Sequence, residues 1–162
     1  MQLQDLLKEH RGPPVNIEAI VRGLGVELNK DAELPEHISG QLELLGSGTY
    51  KISTNKQDHY FRKRFTIAHE LAHFLLHRHL VGKGVDDDRL YRSTARDFYG
   101  SSGIRPEHEI QANRLAVLFL MPTDAIQRLI GNGITEAADL AKRFQVSPKA
   151  MEIRLQAIPL AV

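Results

Sequence analysis

The spacing of apolar residues predicts two helices and three strands at the start of the chain. Apolar residues at helical spacing near the N-terminus predict a short helix that ends before Gly12, because the two prolines that follow cannot continue it. A second helix is predicted over residues 15–25, with Asn16 as its N-cap. Strands are predicted at residues 26–28, 38–45 and 49–54. A Gly-Ser-Gly turn separates the last two strands, which we expect to pair as a hairpin.

The rest of the chain is predicted to be mostly helical, which makes the fold class α+β. One helix is expected from about Asp58 to about His79, and another begins at Pro106 and ends before Pro122. Residues 83–105 connect them, and so long a polar connection is either a flap near the cleft or disordered. The remaining helices are predicted at 123–130, 135–144 and 147–158, with Thr135 and Ser147 as N-caps. The residues of the Pro106 helix expected in the core are Ile110, Leu115, Leu118 and Phe119.

Composition points to one globular domain, or to one domain with a small appendage. Of the 162 residues 42% are hydrophobic, yet no stretch approaches the roughly 20 apolar residues of a membrane span. The net charge of +1 at pH 7 offers nucleic acid no bulk attraction. The chain has no cysteine, and its first residues lack the apolar region of a signal peptide. We therefore expect a cytoplasmic protein without membrane association.

The candidate chemistry lies in the long helix that contains His69-Glu70-Leu71-Ala72-His73, an H-E-x-x-H motif. Four helical residues advance about 400°, so both histidines share one face. They can bind one zinc ion, and Glu70 can take a proton from a zinc-bound water without ligating the metal. A chance pair of surface histidines is disfavoured, because apolar residues surround the motif and buried polar groups need partners. The motif predicts one zinc ion per chain, with Glu70 as general base.

A catalytic zinc ion usually has three protein ligands and a water, so a third ligand is needed. His79 has the spacing of the motif H-E-x-x-H-x-x-G-x-x-H, but Leu76 replaces the glycine that turns the chain back. His77 lies about 6 Å further along the axis than the second motif histidine, too far for the same tetrahedron. Glu109 on the next long helix is favoured over these histidines. Asn113, one turn later, can accept the other ring N–H of a ligand histidine.

Two motifs of the chain closely resemble the ImmA/IrrE family of zinc metallo-endopeptidases. The first reads R-F-T-I-A-H-E-L-A-H-F-L-L-H, and the second is similar to the family pattern E-x-E-A-N-x-F-A-x-x-L-L-M-P. The segments that carry the likeness are residues 64–77, 109–122, 14–20, 38–40 and 144–155. The chain departs from the pattern at Gln111, where glutamate is common, and at Leu115, where phenylalanine is common. Neither position is an expected ligand.

The resemblance implies a zincin-like metalloprotease core, with a small antiparallel sheet packed on the H-E-x-x-H helix. Residues 1–122 would form this domain and residues 123–162 a helical extension packed on it. The residues implied in the site are His69, His73 and Glu109 as zinc ligands, Glu70 as general base and Asn113 behind a ligand. Family members typically cleave a helix-turn-helix transcriptional repressor in mobile elements or stress responses. A protein of that class is therefore the expected substrate.

The C-terminal helices also allow a second hypothesis, a DNA-binding regulator with a structural zinc site. Residues 140–155 contain A-x-x-F-x-V-S followed by M-x-x-R-L, which is how many helix-turn-helix modules read. A helical pair that packs on the protease domain or docks its substrate is favoured, because few basic residues are present. Those residues are Lys142, Arg143, Lys149 and Arg154, offset by Asp139 and Glu152. Nucleic-acid binding is therefore possible but not expected.

Two further sets of polar residues have less specific interpretations. The basic residues at the start of the long helix, interpreted as a solvated face rather than a substrate contact, are Arg62, Lys63 and Arg64. The residues that could donate to a reaction oxyanion are Tyr91, Arg92, Arg96, Tyr99, Arg105 and His108. The sequence singles out none of these donors. It also does not distinguish zinc from manganese or iron, and it does not set the oligomeric state.

Overall fold

The computed structural model describes residues 2–81, 84–88 and 103–158, with 84–88 described by its backbone. The elements, in chain order, are α1 (Leu3–Glu9), α2 (Ile17–Gly23), β1 (Glu27–Ala32), β2 (Ile38–Leu44), β3 (Tyr50–Asn55), α3 (Tyr60–Leu76), α4 (Arg78–Val81), β4 (Gly84–Asp88), α5 (Pro106–Leu120), α6 (Thr123–Gly131), α7 (Ala137–Phe144) and α8 (Pro148–Ala157). The α+β class predicted from the residue pattern is confirmed. Because the sheet precedes most of the helices, it can serve as a platform for them.

The sheet has the strand order β1-β3-β2-β4 and is mixed. The predicted hairpin is confirmed, since β2 and β3 are antiparallel with Leu42 opposite Ile52. The prediction of an antiparallel sheet is wrong for β1, which runs parallel to β3. The side-chain amide of Asn55 stabilises this arrangement, because it donates to carbonyls between the end of β1 and the start of β2, including that of Ile38 at 2.9 Å. The prediction failed because residue periodicity carries no information on strand direction.

The polar connection between the two long helices contains a strand that the sequence did not indicate. Strand β4 pairs antiparallel with β2 at the edge of the sheet. Its sequence Gly-Val-Asp-Asp-Asp is poor in strand-forming residues, which is why the pattern did not predict it. Disorder is therefore excluded for residues 84–88. The choice between a flap and disorder stays open for the rest of the connection, because residues 82–83 and 89–102 lie outside the described residues.

Helix α3, which carries the H-E-x-x-H motif, packs against β2, β3 and α5. It is shorter than predicted, because the chain leaves helical geometry at His77 (φ −127°, ψ 14°) and starts again as α4. At its other end the ring Nδ1 of His59 accepts the backbone N–H of Phe61 at 3.1 Å and caps the helix. Ten of its residues are buried, from Arg64 to Phe74. A helix enclosed in this way has few polar side chains, and those it has need partners.

Helix α5 buries a different face from the one that its apolar residues predict. Ile110 and Leu118 are both 49% exposed, so the prediction that they lie in the core is wrong. The buried residues of α5 are Glu109, Ala112, Ala116, Phe119 and Leu120. Small alanines allow α5 to approach α3 closely, and this approach places a carboxylate in the interior. The burial of Glu109 therefore goes together with the exposure of two larger apolar side chains.

Two buried arginines hold the C-terminal helices. Arg64 of α3 donates to the backbone carbonyls of Phe144 and Gln145, both at 3.3 Å. Arg154 of α8 donates to the carbonyl of Met121 at 3.0 Å and to the hydroxyl of Thr123. The interpretation of Arg64 as part of a solvated face is therefore wrong, since its side chain satisfies carbonyls where α7 ends.

The helix caps are predicted correctly in two of three cases. The Asn16 side chain accepts the N–H of Ala19, and the Ser147 hydroxyl accepts the N–H of Ala150, each at 3.1 Å. The predicted cap Thr135 is wrong, because α7 begins at Ala137 with Glu136 before it. Among the described residues no helix is long and apolar enough to span a membrane.

Candidate metal centre

Helix α3 presents His69, Glu70 and His73 inside the protein. All three side chains are fully buried, and each offers a metal-ligating atom within 4.8 Å of the other two. The two imidazole rings lie 4.7 Å apart and almost perpendicular, at 88°. This arrangement follows from the four-residue spacing, which brings both rings to one side of α3.

Helix α5 brings Glu109 to the same place. Its Oε2 lies 3.1 Å from His69 Nε2, and its Oε1 lies 2.7 Å from His73 Nε2. The carboxylate thus meets each histidine through a different oxygen. Glu70 Oε1 lies 3.9 Å from His69 Nε2, so it is the more distant carboxylate. Of the two acids, Glu109 is better placed to share a cation with both histidines.

The other ring nitrogens of the two histidines also have partners. His69 Nδ1 lies 2.8 Å from Asn113 Oδ1, as expected for a side chain one turn after Glu109. An amide oxygen can only accept, so it fixes the proton on Nδ1 of His69 and leaves the Nε2 lone pair directed at Glu109. His73 Nδ1 lies 2.9 Å from the ring of His77.

Burial and hydrogen bonding set the protonation of the cluster. Burial lowers the pKa of His73 to about 4, although Glu109 opposes the shift. Burial acts to raise the pKa of Glu109, but its close contacts with His69 and His73 outweigh it and hold that pKa well below its ordinary value. Near neutral pH the cluster therefore contains a neutral His73 and an ionised Glu109. These are the protonation states that metal ligands require.

The donor set fits a divalent cation. Ligand atoms around a tetrahedral zinc ion with bonds of about 2.0–2.1 Å are roughly 3.3 Å apart. The contact of Glu109 with His69, at 3.1 Å, is near this separation, and its contact with His73, at 2.7 Å, is shorter. The lone pair of His69 Nε2 faces a carboxylate oxygen, an arrangement that a cation between them would stabilise. Glu70 adds a second observation, because neither of its buried oxygens has a hydrogen-bond partner among the described residues. A buried carboxylate without partners is costly unless a positive charge or water compensates it.

Strand β2 approaches the same site closely. A Cβ atom on Gly40 would collide with Thr66 of α3 and would lie 3.5 Å from Cγ of Glu70. The glycine therefore allows β2 to pass directly over the helix at the motif. This close approach places the sheet beside the Glu70 carboxylate.

The structure thus brings together all five residues that the sequence suggested for the site. The rival third ligand His79 is exposed on α4 and is not part of this group. Of the suggested oxyanion donors, Arg105 and His108 lie at the start of α5, and Tyr91, Arg92, Arg96 and Tyr99 lie outside the described residues. Sequence reasoning missed the contact of His77 with His73, although the four-residue spacing between them was a signal for it.

The fold and site define an α+β protein with a candidate metal-binding His/Glu group on a buried helix. Residues 27–156 match the family model of the M78 peptidases, described as the IrrE N-terminal-like domain, and the chain belongs to this family. The suspected ImmA/IrrE membership is therefore confirmed.

Among solved structures, a Mycobacterium tuberculosis transcriptional regulator matches with a TM-score of 0.61 at 16% sequence identity. The match covers 95% of this chain and 45% of that one, so this chain spans less than half the length of the regulator. At this identity the likeness concerns the fold. No curated protein matches the sequence significantly.

Proposed function

We propose that this chain is a zinc-dependent endopeptidase in which His69, His73 and Glu109 hold the metal and Glu70 is the general base. The observation that carries the proposal is the pairing of two carboxylates with different surroundings. Glu109 contacts both histidines, whereas Glu70 is buried beside them with neither oxygen hydrogen-bonded to a described residue. A ligand and a base require these two environments. Membership of a peptidase family supports the same assignment.

A bound zinc ion would supply a Lewis acid that polarises the scissile carbonyl and acidifies water. Glu70 would remove one proton from the attacking water as its oxygen bonds to the carbonyl carbon. The same carboxyl would then give that proton to the leaving amine as the C–N bond breaks. Asn113 would hold the ring of His69 in place, and the apolar residues around α3 would exclude bulk water.

The expected substrate is a helix-turn-helix transcriptional repressor, which the family resemblance suggests. The peptidase family implies a protein substrate, and this class is the finer proposal. Its test is incubation of the zinc-loaded chain with a panel of such repressors, followed by mass spectrometry of the products. Cleavage of one bond in one repressor would support the proposal. Equal cleavage of unrelated unfolded proteins would show that the substrate class is wrong.

The central experiment is Glu70→Gln, with zinc content and peptide hydrolysis measured on the same samples. Glu70 contributes base catalysis rather than a ligand, so we expect the variant to retain zinc and to lose about 10²- to 10⁴-fold in hydrolysis rate. Glu107→Gln, an exposed change on α5, is the matched control and should retain activity. Full activity in Glu70→Gln would refute the assignment, and loss of zinc would make Glu70 a ligand.

A DNA-binding regulator is the less favoured alternative. The structural neighbour is a transcriptional regulator, but the contacts of α8 argue against DNA binding by this chain. Arg154, one of the four basic residues of this segment, is buried against Met121 and Thr123. Helix α8 then offers one exposed basic residue, Lys149, for phosphates. Salt-dependent binding of duplex DNA by the full chain would revive this alternative.

A further inference from the structure

His77, which the sequence excluded as a ligand, is joined to the candidate metal centre by two contacts with His73. Its backbone N–H donates to the His73 carbonyl at 2.8 Å, and the Nδ1 atoms of the two rings lie 2.9 Å apart. The side chain is 3% exposed, and the ring of His108 packs on it with centroids 4.7 Å apart. The position of His77 at the end of α3 is therefore well defined.

Gln111 of α5 determines which nitrogen of His77 carries the proton. Its Oε1 lies 2.7 Å from His77 Nε2, and an amide oxygen can only accept. Nε2 of His77 must therefore donate, which leaves a lone pair on Nδ1 of a neutral ring. That lone pair faces His73 Nδ1, so His73 must carry its proton there. The Nε2 of His73, 2.7 Å from Glu109, is then free of a proton and able to bind a metal.

A metal bound to His73 would require the same positions of the protons. If His73 binds a metal through Nε2, its Nδ1 carries the proton and needs an acceptor. Among the described residues, Nδ1 of His77 lies within hydrogen-bond distance of it, and if His77 accepts there, its own proton must be on Nε2, where Gln111 presents its oxygen. For the other histidine, the Asn113 side-chain oxygen accepts directly from Nδ1 of His69. Helix α5 thus supplies Glu109 and an acceptor for each histidine, one direct and one through His77.

We propose that His77 and Gln111 are positioning residues that hold His73 in its metal-binding tautomer. The proposal rests on the proposed zinc site, and neither residue touches the metal or the reacting atoms. The hydrogen bonds run in one direction, with His73 donating to His77 and His77 donating to Gln111. A residue that merely filled space at position 77 would pack equally well and would leave the tautomer of His73 unset.

The tautomers can be read directly by long-range ¹H–¹⁵N NMR of the full chain, zinc-loaded and after chelation, at pH 8. We expect His77 to be protonated on Nε2 in both forms, and His73 to be protonated on Nδ1 even without zinc. Gln111→Met should give mixed tautomers in both rings, because the acceptor is lost. Gln111→Glu should restore the wild-type pattern, because a carboxylate also accepts. Gln127→Met, on the exposed side of α6, is the matched control and should change nothing.

Zinc affinity, measured by competition with a chelator, provides the second readout. Loss of an outer hydrogen-bond partner typically weakens metal binding 10- to 100-fold. We expect that loss for His77→Phe, a smaller one for Gln111→Met and none for Gln111→Glu or Gln127→Met. Gln111 is exposed, so its variants remain informative if His77→Phe fails to fold.

The outcomes separate this proposal from the proposed function. Two results would overturn the positioning role of His77 and Gln111, even if the chain hydrolyses peptides. One is protonation of His73 on Nε2 in the zinc-free wild type, and the other is unchanged tautomers and zinc affinity in Gln111→Met. If the tautomers are as expected but the chain hydrolyses no peptide, the positioning role of His77 and Gln111 is supported and the proposed peptidase function is not. Restored tautomers and affinity in Gln111→Glu would exclude a role for residue 111 in packing alone.

Discussion

At the scale of single residues, two glutamates near the same histidines differ in their surroundings. Glu109 is held by two imidazoles, which lower its pKa, and Glu70 contacts no described hydrogen-bond donor. The sequence distinguishes them through their positions, one inside the H-E-x-x-H motif and one on a separate helix. Their different environments become visible when α3 and α5 are packed together. Two predictions follow from these surroundings.

The first concerns the third ligand. Glu109→Gln removes the negative charge but keeps the shape, so we expect a large loss of bound zinc, from about one ion per chain. Elemental analysis of the purified variant measures this directly, with Glu107→Gln as the control on the same helix. Full zinc in Glu109→Gln would exclude Glu109 as a required ligand, and His79 would be the next residue to change.

The second concerns acid stability of the zinc-free protein. The pKa of His73 is lowered by burial to about 4, against about 6.5 when unfolded. Between these values the unfolded chain binds more protons, so the free energy of unfolding falls as the pH is lowered from 6.5 towards 4. We expect His73 to account for about 2–3 kcal/mol between pH 7 and pH 4.5.

Denaturant unfolding at the two pH values tests this expectation. His73→Leu should show a smaller pH dependence than wild type, because the titrating group is gone. His79→Leu, an exposed change, is the control and should show the same pH dependence as wild type. An unchanged pH dependence in His73→Leu would show that His73 does not titrate differently in the folded and unfolded states.

At the scale of elements, the centre depends on how closely β2 and α5 approach α3. Helix α5 approaches through Ala112 and Ala116, and β2 approaches through Gly40. The residue pattern predicted the helices and the hairpin, because periodicity and turns are local properties. It predicted the wrong buried face for α5. Ile110 and Leu118 are exposed, whereas Glu109 and the two alanines Ala112 and Ala116 are buried.

The close approach of β2 leads to a prediction for Gly40→Ala. The added methyl group would collide with Thr66, and β2 would have to move away from α3. We expect a loss of about 1–3 kcal/mol in the free energy of unfolding, measured in denaturant. Gly46→Ala is the matched control, since a Cβ there meets nothing within 4 Å. Adding Thr66→Ser to Gly40→Ala should recover part of the loss, and a purely additive result would contradict this explanation.

At the scale of the whole molecule, hydrogen bonds of the buried residues Arg64 and Arg154 connect the C-terminal helices to the preceding part of the fold. Arg64 donates to two backbone carbonyls at the end of α7, and Arg154 donates to the Met121 carbonyl after α5 and to the Thr123 hydroxyl. These contacts favour helices that pack on the core over helices that present a surface to DNA. The division into a domain of residues 1–122 and an extension of residues 123–162 stays a prediction.

Arg154→Met tests how far the extension depends on the core. The change leaves the Met121 carbonyl and the Thr123 hydroxyl without their donor, so we expect a loss of about 1–3 kcal/mol. Arg143→Met on the exposed side of α7 should change the free energy of unfolding by less than about 0.5 kcal/mol. If Arg154→Met unfolds like wild type, the contacts of Arg154 do not hold the extension.

The sequence by itself determined most of the helices, the β2–β3 hairpin and the family that the protein belongs to. Helical spacing alone placed His69 and His73 on one face, and the second motif pointed to Glu109 and Asn113 forty residues later. These features could be predicted because each depends on residues close in sequence, or on a motif that can be read without a fold.

The tertiary structure alone decided the features that depend on contacts between distant segments. Among them are the parallel pairing of β1 with β3, the burial of Arg64 and the chain of contacts from His73 through His77 to Gln111. No local pattern contains them, because strand direction depends on which segments pair, and the direction of a shared proton depends on the acceptor at the far end of the contacts. The two motif histidines therefore form the candidate metal centre with Glu109 only where α5 packs against α3.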